Sequence, residues 1–140
     1  MSTHSLIGKV NKDNSITYIY CHFDGYMEHN GRILQEHYTK ESKVDDLLKL
    51  GDLSILGEEI GEKHDFNDYD LTTAKKWCRA YGRDRGEEDI EARTVQSANN
   101  IVGQEEYVYL FEDNKWKCFN WDREIKFKTV LGIHNSLTYI

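Results

Sequence analysis

Two short stretches hold most of the residues able to do chemistry. Residues 20–31 read YCHFDGYMEHNG and bring together a thiol at Cys21, imidazoles at His22 and His29, and a carboxylate at Asp24. Residues 81–93 read YGRDRGEEDIEAR, with three arginines, two aspartates and three glutamates. In the first stretch Cys21 and His22 are adjacent, so on a strand they face opposite sides and cannot pair as nucleophile and base. His22 and Asp24 would share a face. Asp24 could then fix the tautomer of the His22 imidazole, which is half of a catalytic triad or the outer support of a metal site. The structural alternative is that Asp24-Gly25 makes the turn out of the strand and leaves His22 half-exposed at its end.

In the second stretch Gly82 and Gly86 free the backbone, and Arg83 and Arg85 alternate with Asp84. In an extended segment both guanidiniums would project to one side, and two forked donors suit a phosphate or a carboxylate. Lys63 and His64, after another glycine, add donors, and Tyr26 and Tyr81 could stack on a base or ribose edge. Tyr26, Lys63, His64, Tyr81, Arg83, Asp84, Arg85 and Arg93 are therefore the candidate ligand- or partner-binding residues. The alternative is internal: Arg83, Arg85 and Arg93 pair with Asp84, Glu87, Glu88 and Glu91 to pin a polar loop, at about 0–1 kcal/mol for each exposed pair.

Metal and covalent chemistry have weaker signals. His22, Asp24, His29, His37 and His64 are available as ligands, but no HExxH or HxH spacing occurs. His29 and His37 lie near two helical turns apart, too far to bind one ion together. No GxSxG occurs, and a meeting of Cys21 or Cys78 with His64 would depend on the fold. Neither a metal nor a cofactor is assigned.

The elements that must position these residues follow from patterning. SLIGKV and SITYIYCH flank NKDN and predict an N-terminal β-hairpin. Glu28–Tyr38 has helical spacing. A second helix, capped by Thr39 or Ser42, carries Val44, Leu47, Leu48 and Leu50 and stops at Gly51. DLSILGEEIGEKHDF reads as a compact loop with one short turn, then a short strand near Lys63–Phe66. Leu71–Lys76 has helical propensity, WCRAY alternates as a strand, and Gly82–Glu91 reads as a polar loop. IEARTVQ re-enters the sheet and SANNIVG makes one helical turn. The clearest hairpin is EEYVYLF-EDNK-WKCFNW, residues 105–121. In the tail, IKFKTVLGI is the best strand candidate. The sum is one α+β domain over residues 1–140, with a mostly antiparallel sheet and two helices packed on one face.

Composition limits the partners. The chain has 140 residues, 39% hydrophobic and 31% charged, with nine tyrosines, ten glycines and no proline. A chain of this length buries about two-thirds of its unfolded surface, enough for a core without staples. The net charge of −7 argues against general nucleic-acid binding and against anionic membranes. It suits basic protein partners; a polyanion mimic is conceivable. Three widely spaced cysteines, Cys21, Cys78 and Cys118, show no disulfide framework and read as reduced thiols. With no apolar run of spanning length and no signal-peptide pattern at the N-terminus, a cytoplasmic location is expected.

Three stretches carry a resemblance: YCHFDGYMEHNGRILQEHY, LLKLGDLSILGEEIGEKHDF and YGRDRGEEDIEART. In order and spacing, over roughly residues 5–112, the chain resembles a family of small uncharacterised proteins of tailed phages and prophages; residues 122–140 lie outside the resemblance. It implies a setting, a host-cell cytoplasm during infection, and no activity. Small non-structural phage proteins often modify the host or block its defences. The leading expectation is therefore a phage accessory protein that binds and inhibits a host factor, plausibly in defence. One alternative is a protein that sequesters a nucleotide signal through Arg83, Arg85, Lys63 and His64. Another is a small nucleotide hydrolase or transferase with His22 and Asp24 as acid and base. The non-enzymatic readings rank first, with the partner a host protein or a nucleotide-like molecule, and homo-oligomerisation is left open.

Overall fold

The computed structural model describes residues 2–67 and 76–125. The expected helix at 71–76 falls almost wholly, and the strand IKFKTVLGI almost wholly, outside them. The chain folds as α+β around a mixed sheet of eight strands. β1 (Ser5–Val10) and β2 (Ile16–Cys21) form the expected antiparallel hairpin, with Ser5 opposite Cys21 and Val10 opposite Ile16. Asn14 takes a positive φ in the turn, which asparagine tolerates.

Helical structure begins at Met27. Residues Met27–Gly31 form a wide π-helical turn, closed by Gly31 N–H bonding to Tyr26 O at 3.4 Å, and run directly into α1 (Arg32–His37). α2 spans Glu41–Lys49 and buries Val44, Leu47 and Leu48. Neither Thr39 nor Ser42 caps it; the cap position is Lys40, with no side-chain bond. Gly51 follows at φ +76°, and a Cβ there would collide with the Ile90 carbonyl, so both conformation and space demand glycine.

The segment after Gly51 corrects two expectations. β3 (Leu53–Ile55) lies where a loop was expected, and no strand forms at Lys63–Phe66. β4 is the pair Arg79–Ala80 of the WCRAY stretch. The expected loop at Gly82–Glu91 begins instead with a helical turn, α3 (Tyr81–Arg85), which ends on Gly86 in the left-handed region. β5 (Arg93–Val95) rejoins the sheet, and Ala98–Asn100 form a 3-10 turn capped by Ser97 and Asn100. β6 (Tyr107–Glu112) and β7 (Lys115–Asn120) form the strong hairpin, its turn residues Asp113 and Asn114 both at positive φ. That combination gives a tight turn whose twist matches the strands. β8 (Arg123–Ile125) pairs with β7.

The strand order is β4-β3-β2-β1-β6-β7-β8, with β5 also on β2. Two pairings, β1 with β6 and β2 with β3, are parallel. The sheet is thus mixed, and its other five pairings are antiparallel, in line with the mostly antiparallel sheet expected. Each parallel neighbour needs a crossover. Residues 22–52 supply one for β2–β3, and α1 and α2 lie within it.

The main core joins Ile7, Ile19 and Cys21 of the first hairpin, Leu34, Tyr38, Val44 and Leu47 from the helical crossover, and Tyr109, Phe111, Trp116 and Cys118 of the second hairpin. A smaller cluster gathers Leu6, Ile16, Ile101, Val108 and Leu110. β6 is buried on both faces, so its alternation does not separate a dry face from a wet one. No helix among the described residues is long and apolar enough to cross a membrane.

Trp116 joins the hairpin to the helices. Its ring packs on Phe111 at 5.1 Å and its indole N–H donates to Tyr38 O at 2.9 Å. Trp116→Ala therefore removes a buried ring and leaves a carbonyl unpaired, and should cost about 3–5 kcal/mol in urea denaturation. A loss under about 1 kcal/mol would mean that the ring does not anchor the hairpin.

Candidate functional site

The arginine-rich stretch is built into the scaffold. Tyr81 begins α3 because its N–H donates to Asp52 O at 3.2 Å. On this helical turn Arg83 and Arg85 are two positions apart, so they do not share a side as they would on an extended segment. The Asp84 side chain is 0% exposed. It accepts from Ala80 N at 2.8 Å, His64 N at 3.1 Å, Arg83 Nε at 2.9 Å and Arg83 Nη2 at 3.1 Å. Arg83 also donates to Ile60 O and Cys78 O, each at 2.8 Å. Its fork is spent on tying residues 60–64 to β4 and α3, which leaves little for an incoming phosphate.

Asp84 is buried, and burial alone would push its carboxyl up. Arg83 and the backbone donors of Ala80 and His64 overcome this and hold it below the usual aspartate value. His64 turns Nδ1 to Glu62 O at 2.9 Å and lies edge-on to Trp77 at 5.8 Å between ring centres.

Arg85 is exposed. It stacks over the rings of Phe66 at 4.4 Å and Tyr81 at 4.8 Å, and its Nε donates to Glu87 at 2.6 Å. Arg93 reaches a different place. Its two Nη atoms bind Oδ1 and Oδ2 of Asp52, each at 2.7 Å. Asp52 Oδ1 also accepts the Tyr20 N–H at 2.9 Å. The pairs expected within residues 81–93 are thus realised in part, Arg83 with Asp84 and Arg85 with Glu87, while Arg93 finds a residue 41 positions away. Lys63 is exposed. A cleft of about 590 Å³ is lined by Gln35, Thr39, Glu112–Lys117, Glu124 and Ile125, at the far end of the sheet. None of the eight candidate residues stands in its wall.

The His22–Asp24 pair does not form as expected. Asp24 takes φ +57° and its carbonyl accepts Asn30 N–H at 3.3 Å, so the residue makes the turn into the helical segment. Its carboxylate lies beside Tyr26 and raises that phenol. His22 belongs to another group. Its Nδ1 is 2.8 Å from Tyr20 Oη, and its ring stacks on His4 at 4.6 Å and meets Phe23 edge-on at 4.5 Å. His4 Nδ1 in turn stands 3.6 Å from Glu105. Partial burial, and then the neighbouring His4, push His22 below the ordinary histidine value. Burial raises Tyr20 to about 12. Tyr20 and His22 lie two residues apart, so the alternation of an extended chain puts them on one face.

The register gathers more residues at this end of the sheet. Cys21, Ser5, Tyr107 and Asn120 form one row across β2, β1, β6 and β7. One step further come His22, His4, Glu106 and Trp121, and Trp121 N–H donates to Glu106 O at 2.6 Å. Gly25 closes the corner: its N–H bonds to Thr3 O at 2.9 Å, Tyr109 Oη donates to its carbonyl at 2.7 Å, and a Cβ would press on His4. The large apolar side chains left exposed among the described residues are Phe23 (39%), Tyr26 (36%) and Trp121 (52%). All three sit at this end.

The three thiols are free and buried. Burial drives Cys21 and Cys118 up to about 12 and raises Cys78 too. Thiols in that state make poor nucleophiles. Among the described residues no three His, Cys, Asp or Glu side chains converge as a metal set. His29 instead meets Asn30, and His37 lies near Glu36 and Glu58.

Asp84→Ala strands the Arg83 charge and two backbone donors, and should cost about 3–5 kcal/mol. The pH dependence has a defined sign. A carboxyl depressed in the folded state stabilises the fold above its unfolded value of about 3.9, and that stability is lost as pH falls through the folded value. The wild type should therefore lose more stability than Asp84→Ala on acidification below about pH 4. Parallel acid-melting curves would contradict the buried role of Asp84.

Compared with protein-family models, curated proteins and solved structures, the chain matches none.

Proposed function

We propose that this protein acts by binding another protein, through the end of the sheet that carries Phe23, Tyr26 and Trp121. The observation that carries this reading is the gathering of these three exposed aromatics beside the His4–His22–Tyr20 group. Aromatic side chains dominate binding energy at protein interfaces, and three exposed at one end of the sheet can serve as anchors for a partner. The resemblance to small tailed-phage proteins supplies the setting: a phage accessory protein that inhibits a host factor in the host cytoplasm, in the manner of an anti-defence protein. The α+β fold gives this end a rigid base, and we read α1 and α2 as packed together on one face of the sheet, supported by the core they share with β1 and β2.

The nucleotide-sequestering reading draws less support. Arg83 is consumed by Asp84 and two carbonyls, Arg93 by Asp52 and Arg85 by Glu87 and the rings of Phe66 and Tyr81, while His64 packs against the same Asp84. The hydrolase or transferase reading takes His22 and Asp24 as acid and base, but His22 is engaged with Tyr20 and His4 while Asp24 makes the turn into the helical segment.

Affinity capture from a bacterial host lysate tests the proposal, with the wild type beside a Phe23→Ala/Trp121→Ala variant and an Arg85→Ala variant. The wild type and Arg85→Ala should retain the same host protein, and the aromatic variant should lose it while melting normally. In parallel, nucleotides should leave the melting temperature unchanged, because only a ligand bound by the folded state raises it. Undiminished capture by the aromatic variant, or a clear nucleotide-dependent rise, would overturn the reading.

A further inference from the structure

Charge at the same end of the sheet narrows the partner. The segments that form it are residues 2–5, 21–29, 105–107 and 120–123. They carry carboxylates at Asp24, Glu28, Glu105, Glu106 and Asp122, against one arginine, Arg123. A run of contacts follows this end of the sheet: Phe23 meets His22, His22 stacks on His4, and His4 stands 3.6 Å from Glu105. Glu106 then holds the backbone of Trp121. Three strand spacings separate β2 from β7 on this path, about 14 Å, the span of a few extended residues. Exposed aromatic faces interleaved with carboxylates attract ammonium and guanidinium groups by two routes, the ring quadrupole and direct charge pairing. A second copy of this chain would set carboxylates against carboxylates, and a nucleic acid would set phosphates against them.

Resting on the binding role proposed above, we infer that the occupant of this surface is a lysine- and arginine-bearing segment of the partner protein. Such a segment lays its cationic heads on Trp121, Tyr26 and Phe23 and pairs with the flanking carboxylates. Its association is faster and tighter at low salt, because opposite fields steer encounter and are screened as ions are added.

The test uses the full chain and two synthetic peptides of equal length, one of lysine, arginine and glycine and one of glutamate and glycine, titrated by fluorescence anisotropy. The cationic peptide should bind, with affinity that falls as salt rises, and the acidic peptide should not. Trp121→Ala should weaken the cationic peptide by roughly tenfold, about 1.4 kcal/mol. Glu106→Gln/Asp122→Asn should weaken it comparably. Asp46→Asn/Asp113→Asn removes the same charge elsewhere, on α2 and at the opposite sheet end, and should leave binding near the wild-type level.

If both charge variants weaken binding equally, the attraction belongs to the net charge and the inference fails. It fails as well if Trp121→Ala binds like the wild type, if the acidic peptide binds as tightly, or if sedimentation shows the aromatics buried in a dimer of this chain. Should the lysate partner still depend on Phe23 and Trp121 while the cationic peptide does not bind, this inference falls and the binding role stands. Capture indifferent to the aromatics removes the binding role itself.

Discussion

Asp52, through its carboxylate and its backbone together, is the residue on which β5, α3 and the loop at 60–64 depend. β2 has one edge to share between two short strands, β3 at its C-terminal part and β5 at its N-terminal part. The Tyr20 N–H falls between them and would be left without a ladder partner. Asp52 takes it, and the same carboxylate receives both forks of Arg93, the first residue of β5. Bidentate charge-assisted bonds of this kind fix direction as well as distance. The Asp52 backbone then extends the order outward. Its N–H holds Ile90 O at 2.8 Å and its carbonyl receives Tyr81 N–H, which sets the start of α3. α3 in turn presents Asp84 to His64 and Ala80. One acidic residue thus orders β5, α3 and, through α3, the loop at 60–64.

That dependence decides where function can sit. The stretch richest in charge, 81–93, is also the stretch with most of its donors committed. An incoming anion would have to break bonds that Arg83 makes to Asp84, Ile60 and Cys78, and a buried carboxylate left without its partner is costly. At the other extreme, Phe23, Tyr26 and Trp121 have apolar area in water and their backbone already fixed by the turn at Asp24-Gly25 and by the bond from Trp121 to Glu106. Aromatics held this way lose little entropy on binding. The scaffold and the exposed surface are therefore separate parts of the chain, joined by β2, which carries Tyr20 next to Asp52 and leads directly into His22 and Phe23.

Local pattern made much of the fold legible. Both hairpins, the helical run from residue 28, α2 and its stop at Gly51 are written in spacing and turn chemistry over short windows. β3, α3 and the parallel pairings are not. β3 is three residues long, too short for alternation to register, whereas β5 falls inside the stretch IEARTVQ expected to rejoin the sheet. α3 reads as a loop because it is five residues long and contains Gly82 and Asp84, both poor helix formers, and what holds it is Asp52, some thirty residues upstream. The partners of Arg83 are backbone carbonyls at 60 and 78, which have no sequence signature. In sequence Arg93 reads as paired with nearby glutamates, yet bidentate geometry with the buried Asp52 outweighs exposed pairs worth about 0–1 kcal/mol. The candidate surface was half visible: Tyr26 was singled out, while Phe23, Trp121 and the His4–His22 stack need the register of four strands to bring them together.

Native-state hydrogen exchange on Asp52→Ala, read residue by residue against the wild type, tests this account most directly. Loss of the carboxylate removes the acceptor of Tyr20 and frees the Asp52 backbone that holds Tyr81, and through α3 the loop at 64, so exchange should speed at Tyr20 by roughly ten- to hundredfold for a bond of about 1.4–2.8 kcal/mol, and at Tyr81 and His64 with it. The β6–β7 hairpin should keep its protection, since it shares no bond with Asp52. If only Tyr20 responds, or if protection at 64 and 81 is untouched, Asp52 does not organise the scaffold and the division between scaffold and binding surface fails with it.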